Sequence, residues 1–380
     1  MASDFTFLQY VEKTSDEMYA LLKEACLIPA PSGKEEKRAE FCLKWFHENG
    51  LKDAYIDDAL NVVCPINCEG KDKITVFAAH TDTVFPDLEP MPYYEKDGKI
   101  FCPGAGDDTA SFILLMFIAR YIKETGASFK NGLLIVCNSC EEGLGNLKGT
   151  RQLMKDYDGR IKQFITMDSN VDHIANTCVG SHRYKVTVKT EGGHSFSRFG
   201  NRNAIAELSK IVASIYEIDV PKKEGEKTTY NVGGLEGGTS INTIAQDASM
   251  LCEYRSTDRE CLSIMEQKYK DIFAAANAID GVEVIVEKIG DRPCANEAIA
   301  DETNALADRC KAIVESVTNI PISYSGSSTD CNIPLSLGIP AVAVGAYYEK
   351  GAHTREEWID KASVKVGYLS TLKLVFEIAK

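Results

Sequence analysis

Five short clusters of acidic and histidine residues carry the chemistry this chain could do: His80-Thr81-Asp82, Gly106-Asp107-Asp108, Glu141-Glu142-Gly143, Asp168 and Gly351-Ala352-His353. The chain has only six histidines, His47, His80, His173, His182, His194 and His353, so their settings are informative. His80 directly follows the apolar run Ile74 to Ala79. A polar cluster just past the carboxyl end of a buried strand is where open α/β sheets place their ligands. His80 is therefore a candidate metal ligand, and Asp82 could hold its other ring nitrogen. The competing reading is an ordinary loop histidine. Asp107 and Asp108 stand just before a helical stretch. They could simply cap that helix and complement its dipole, although Gly104 and Gly106 let the backbone crowd close to something, which favours a site. Glu141 and Glu142 follow the apolar run Gly132 to Cys137. Burying a carboxylate is expensive unless it is paired or bound to metal; the alternative is a solvated loop. Asp168 ends the run Phe164 to Met167, and His353 lies a few residues beyond Ala341 to Gly345.

These groups recur at one topological position, the end of an apolar strand. Two His, two Asp and two Glu make a mixed nitrogen and oxygen donor set, which suits Zn, Mn or Co better than a structural thiolate site. Six such groups exceed what one tetrahedral catalytic zinc needs. Two metals about 3.5–4 Å apart use them naturally, with one carboxylate bridging and one left free as a base.

The elements that must position these groups follow from the hydrophobic pattern. Ser32 with Glu35 reads as a capping box opening a helix through Phe46. Ile74 to Ala79, Gly132 to Cys137, Phe164 to Met167 and Ala341 to Gly345 are short apolar runs, the mark of strands buried on both faces. Thr109 to Ile122 has helical periodicity with no Gly or Pro. Strands separated by helices predict an α/β fold with a mixed, mostly parallel sheet. The middle differs: strand Tyr184 to Thr190, helix Asn203 to Tyr216, strands Thr229 to Leu235 and Ala248 to Arg255, helix Asp258 to Ile279 and strand Val282 to Glu287. That β-α-β-β-α-β order predicts a ferredoxin-like domain. The expected organisation is a catalytic domain over 1–180 and 291–380, interrupted by an inserted lid over 181–290, with hinges near Gly180 and Asp291.

The 380 residues suffice for two domains and a core without disulfides. A formal charge of −14 argues against a nucleic-acid partner. No apolar run approaches the roughly 20 residues of a membrane span, and Met1 to Thr14 has no basic segment followed by an apolar core, so no signal peptide is expected. The 13 cysteines, odd in number and dispersed, read as reduced thiols of a cytoplasmic protein. The one CxxC, Cys137 with Cys140, reads as a small buried hydrophobe at a strand end rather than a redox pair.

In order and spacing, His80-Thr81-Asp82-Thr83-Val84, Gly106-Asp107-Asp108, Glu141-Glu142-Gly143, Asp168 and Gly351-Ala352-His353-Thr354 resemble the motifs of the co-catalytic zinc exopeptidase and deacylase family. The resemblance covers nearly the whole chain. It implies that His80 and Asp168 bind one metal, Glu142 and His353 the other, and that Asp107 bridges them. It implies Glu141 as general base and Asp82 as the partner of His80. In the lid it implies that His194, in Gly192-Gly193-His194-Ser195, stabilises the oxyanion, in its own chain or across a homodimer formed through the lid. Asn242 and Arg255 match lid positions that hold the substrate's polar end. Gly326, Ser327 and Ser328 match a substrate-facing glycine-serine turn. Without the resemblance, His194 reads as a surface histidine in a glycine turn, and Arg255 as a strand residue paired with Glu253 or Asp258.

Many members follow the bridging Asp with Asp or Met, Lys and Gly; here Asp108-Thr109-Ala110-Ser111 stands instead. At the fifth ligand, deacylases and carboxypeptidases of the family carry Glu, whereas aminopeptidases and dipeptidases carry Asp. Asp168 therefore implies a substrate with a free amino terminus, and the motifs are most similar to peptidase T-like tripeptide aminopeptidases. An amidohydrolase of N-acyl amino acids and a metal-free binding homologue are the alternatives. A glycosidase using Glu141 and Glu142 fits poorly, because adjacent residues would have to stand about 5 Å or more apart across a sugar.

Overall fold

The computed structural model describes residues 4–380. They form two compact units, one running to Cys178 and resuming over Asn296–Lys380, the other Val179–Ala295. Before the inserted unit come strands β1 (Tyr55–Ile56), β2 (Val62–Ile66), β3 (Ile74–His80), β4 (Gly132–Asn138), β5 (Ile161–Thr166) and β6 (His173–Cys178). The inserted unit holds β7 (Gly180–Lys189), β8 (Thr228–Gly237), β9 (Asp247–Ser256) and β10 (Glu283–Arg292). After it come β11 (Ser323–Ser327) and β12 (Ala341–Val344).

The large unit is built on one sheet of order β1-β2-β4-β3-β5-β12-β6-β11. Its middle four strands, β4, β3, β5 and β12, are neighbours and mutually parallel. Their carboxyl ends therefore share one edge, and the site is assembled there. β3, β4 and β12 are buried at every residue, as strands covered on both faces must be. The helix Ala110–Thr125 is buried from Ala110 to Ile122, and packs on β3 and β4. A helix apolar all round belongs inside, between the sheet and other helices. It ends at Gly126, whose φ of 64° is the left-handed cap that glycine supplies most cheaply. All 13 cysteines are free, and Cys137 and Cys140 are both buried.

The inserted unit is an antiparallel sheet of order β8-β9-β7-β10 with two helices, Ala204–Tyr216 and Arg259–Asn277. This is the ferredoxin-like arrangement its element order predicts. Asn203 and Asp258 cap the two helices with their side chains.

The Ser32–Glu35 capping box is not formed. The helix there runs Glu36–Glu48 and has no side-chain cap. Ser32 Oγ instead donates to Asp82 Oδ2 at 2.6 Å, and Glu35 Oε1 accepts from the Cys140 N–H at 3.0 Å. Both side chains turn inward because buried backbone groups and a buried carboxylate need them more than the exposed helix end does.

Candidate metal centre

His80 is the last residue of β3 and is fully buried. Its Nε2 meets Asp107 Oδ1 at 2.9 Å. Its Nδ1 meets the Asp82 carbonyl oxygen at 3.0 Å, with the Asp82 carboxylate 3.5 Å away. The sequence expectation that Asp82 holds the ring is thus met by its main chain more closely than by its side chain. The carboxylate is otherwise engaged: it accepts from the Glu141 N–H at 3.0 Å, the Glu142 N–H at 2.9 Å and Ser32. These bonds fix the turn that leaves β4, where Cys140 adopts φ 57°.

Asp107 lies in the short loop before the buried helix, and the Asp107–Asp108 peptide is cis. Its second oxygen, Oδ2, meets His353 Nε2 at 3.1 Å. The same His353 nitrogen meets Glu142 Oε1 at 3.1 Å. One carboxylate therefore faces a different histidine on each oxygen. Asp108 turns away and accepts the His80 backbone N–H at 3.1 Å. Asp168 stands two residues beyond β5, near enough to Asp107 and Glu141 for their charges to act on it.

The electrostatics are those of crowded carboxylates. Burial pushes the Glu142 carboxyl up to about 7, against the pull of His353. Burial also pushes Asp168 and Asp108 well above the usual carboxylate range, with Asp107 adding to it at both. For Asp107 burial acts the same way, but hydrogen bonds to His353 and His80 overcome it and hold the group well below its ordinary value. His353 is pushed up to about 11 by its bonds to Asp107 and Glu142. Burial opposes a charge on His80, yet its bonds to Asp107 and Asp82 leave it well above the usual histidine value. Such a cluster wants positive charge at its centre. Donor atoms of His80, Asp107 and Glu142 lie within 4.8 Å of one another, so these residues could hold a divalent cation.

Of the remaining sequence candidates, His194, Asn242 and Arg255 belong to the inserted unit, and Gly326, Ser327 and Ser328 to the large one. His194 pairs with Thr243 in a two-residue ribbon of the inserted unit, and its Nδ1 accepts from the Phe196 N–H at 3.2 Å. Asn242 accepts the Ser195 N–H on its carbonyl oxygen at 2.9 Å, so these two candidates are brought side by side. Arg255, on β9, forks onto Glu253 at 2.8 and 3.0 Å, the ion pair of its non-functional reading. Gly326 and Ser327 continue the edge strand β11, paired with Thr177 and Cys178, rather than forming a turn. Ser328 follows directly. Of the other histidines, His47 bonds the Ala54 carbonyl, His173 pairs with Asp172, and His182 bonds the Tyr254 hydroxyl.

Three buried groups around the centre escape a reading of motifs. Arg38 donates to the Thr81 carbonyl at 2.7 Å and to Thr109 Oγ1 at 3.1 Å, tying the ends of β3 and the Asp107 loop together. Asp330 accepts from Asn138 Nδ2 at 2.5 Å and from the Thr150 hydroxyl. Glu357 accepts three backbone N–H groups of the Asp107 loop. The last had a faint signal: an acidic residue four positions past a candidate histidine, entering an apolar strand.

A mostly parallel sheet with a histidine and carboxylate cluster on its carboxyl edge, joined to a ferredoxin-like insert, defines the scaffold class of metal-dependent peptidases and related hydrolases. The chain belongs to Peptidase family M20/M25/M40, whose model matches residues 76–377. It is 26% identical over 363 residues to the protein YqjE of Bacillus subtilis (strain 168), covering 89% of this chain and 92% of that one. It is 23% identical over 305 residues to the succinyl-diaminopimelate desuccinylase of Legionella pneumophila (strain Corby), covering 73% and 77%. Its fold is similar to that of aminopeptidase PepT from Bacillus cereus ATCC 10987, with a TM-score of 0.72 at 22% identity over 96% of this chain and 99% of that one. Among the described residues no helix is long and apolar enough to cross a membrane.

Proposed function

We propose that the protein is a two-metal aminopeptidase that releases the N-terminal residue of small peptides in the cytoplasm. One observation carries the reading: Asp107 presents Oδ1 to His80 and Oδ2 to His353, the posture of a carboxylate shared by two cations. His80 and Asp168 would hold one ion, Glu142 and His353 the other, and Asp107 would bridge them. When bound, a pair of divalent ions, zinc first and Mn or Co otherwise, supplies positive charge that polarises the scissile carbonyl and acidifies water.

The chain's own residues do the rest. Glu141 takes a proton from the attacking water and passes it to the leaving amine. Asp82 fixes the turn that carries Glu141 and orients the His80 ring. His194 donates to the developing oxyanion, Asn242 and Arg255 meet the polar end of the substrate, and Gly326, Ser327 and Ser328 line its path. The inserted unit would close over the substrate and pair two copies of the chain as a homodimer. The choice of an aminopeptidase rests on Asp168 standing where deacylases of the resembled family carry Glu.

The similarity to a desuccinylase favours one second reading, hydrolysis of N-acyl amino acids. The metal-reconstituted protein should be assayed on a set of tripeptides beside N-acetyl and N-succinyl amino acids. Release of the N-terminal residue from tripeptides is the expected result. Turnover of the acyl amino acids alone would replace the aminopeptidase reading, and no bound divalent metal would favour a metal-free binding protein.

A further inference from the structure

We propose that Glu357 is a positioning residue that sets the Asp107 carboxylate in place before any cation arrives; this deepens the metallopeptidase reading and rests on it. Glu357 is 1% exposed. Its Oε2 accepts the Gly104 N–H at 2.7 Å, and its Oε1 accepts the N–H groups of Gly106 at 2.7 Å and Asp107 at 3.1 Å. Three of the four backbone donors from Gly104 to Asp107 thus converge on one carboxylate from about 250 residues away in sequence. A buried carboxylate is costly without partners, and so are buried N–H groups, so each side satisfies the other.

The backbone of Glu357 is fixed as well. Its carbonyl accepts the Cys102 N–H at 3.2 Å, and the following strand Trp358–Asp360 pairs with Lys99–Phe101, the segment that leads into the loop. Both the chain entering the loop and the loop itself are therefore tied to one residue. Gly104 completes the cradle: its φ is 76°, and a Cβ there would meet Thr83 Cγ2 at 2.5 Å. Glu357 lies four residues past His353. One short segment thus supplies a ligand of its own and orients the carboxylate that faces it. Glu357 itself points away from the reacting atoms, into the backbone.

Two measurements test this. The first is amide hydrogen exchange of the metal-stripped wild type over residues 102–109. Protection without metal is expected; exchange that becomes slow only when Zn2+ is added overturns the proposal. The second compares wild type with Glu357→Gln, whose amide keeps one acceptor and turns an NH2 towards at least one N–H. In competition with a chromophoric chelator, Zn2+ affinity should fall roughly 10–100-fold, as when groups that orient metal ligands are removed. The kcat on a peptide substrate should fall while KM holds. A merely structural residue would lower the melting temperature of the stripped chain and leave Zn2+ affinity alone, and that result overturns the proposal. If the variant does not fold, the exchange measurement decides. A wild type that binds no divalent cation sinks the metallopeptidase reading together with this role, whereas equal affinities sink this role alone.

Discussion

Asp82→Asn isolates what the buried carboxylate does for the turn that carries Glu141 and Glu142. Asp82 is fully buried and accepts three hydrogen bonds, two from consecutive backbone N–H groups and one from Ser32. Although burial favours its neutral form, its interactions with His80, Ser32 and the turn hold it below the ordinary aspartate value, so it is charged throughout the working range. Asparagine keeps the shape and one acceptor. Its amide nitrogen must face a donor, which orphans one N–H at about 1–3 kcal/mol, and the surviving bond loses its charge assistance, about 1 kcal/mol more. A total of about 2–4 kcal/mol falls on the turn that carries Glu141 and Glu142, which Glu35 also holds through the Cys140 N–H. If that cost appears as misplacement of the base in the transition state, kcat falls roughly 30- to 900-fold. The assay is steady-state turnover of a tripeptide by the metal-loaded variant, with a melting curve of the metal-stripped chain alongside. Ser32→Ala removes only one donor and should cost roughly fivefold, from about 1 kcal/mol. A variant Asp82→Asn that turns over within a few-fold of wild type, with an unchanged melt, would refute the claim that this carboxylate holds the turn.

Two further outcomes follow from the site. Glu141→Gln should bind metal and peptide as wild type does and lose about 10²–10⁴ in kcat, the usual weight of a general base; near-normal turnover would assign the base elsewhere. Asp330 has its carboxyl pushed up to about 7, chiefly by burial and then by the charge of Glu141. The native chain thus keeps a proton that the unfolded chain releases above about pH 4. This contribution to stability is complete below about pH 4 and is lost as pH rises to about 7. Asp330→Asn stays neutral, and Asn138, whose Oδ1 has no partner, can turn its amide to accept from it. The melting temperature of the stripped variant should therefore fall less steeply over that interval than that of wild type, and parallel curves would rule the titration out.

Most of the fold was legible because it rests on local pattern. Apolar runs of strand length marked β3, β4, β5 and β12 to within about three residues, and alternation marked the inserted sheet. Strand order was not legible, since it depends on pairings between segments far apart in sequence. Yet that order is what brings the ends of β4, β3, β5 and β12 to one edge. The candidate ligands were legible because a polar group ending a buried strand is anomalous. Their supports were not, because each wears the signature of something commoner. Ser32 and Glu35 have the spacing of a capping box, and Arg38 sits on a helix where an arginine is ordinarily solvated. Only the tertiary structure shows that all three turn inward.

The supports share one physical logic. Cys140, Glu141 and Glu142 give their consecutive N–H groups to Glu35 and Asp82, and Gly104, Gly106 and Asp107 give theirs to Glu357. These two loops are thus gripped through their main chains by buried carboxylates from other elements. A loop held by its own side chains would have to spend them on itself. Held by its backbone, it can turn the carboxylates of Asp107 and Glu142 towards His80 and His353. The cost is negative charge packed beneath a centre that is already acidic, visible in the upward push on Glu142 and in Glu357, which burial raises to about 7. A divalent cation offsets that cost. With its carboxylates crowded and raised by burial, the centre is electrostatically incomplete without added positive charge.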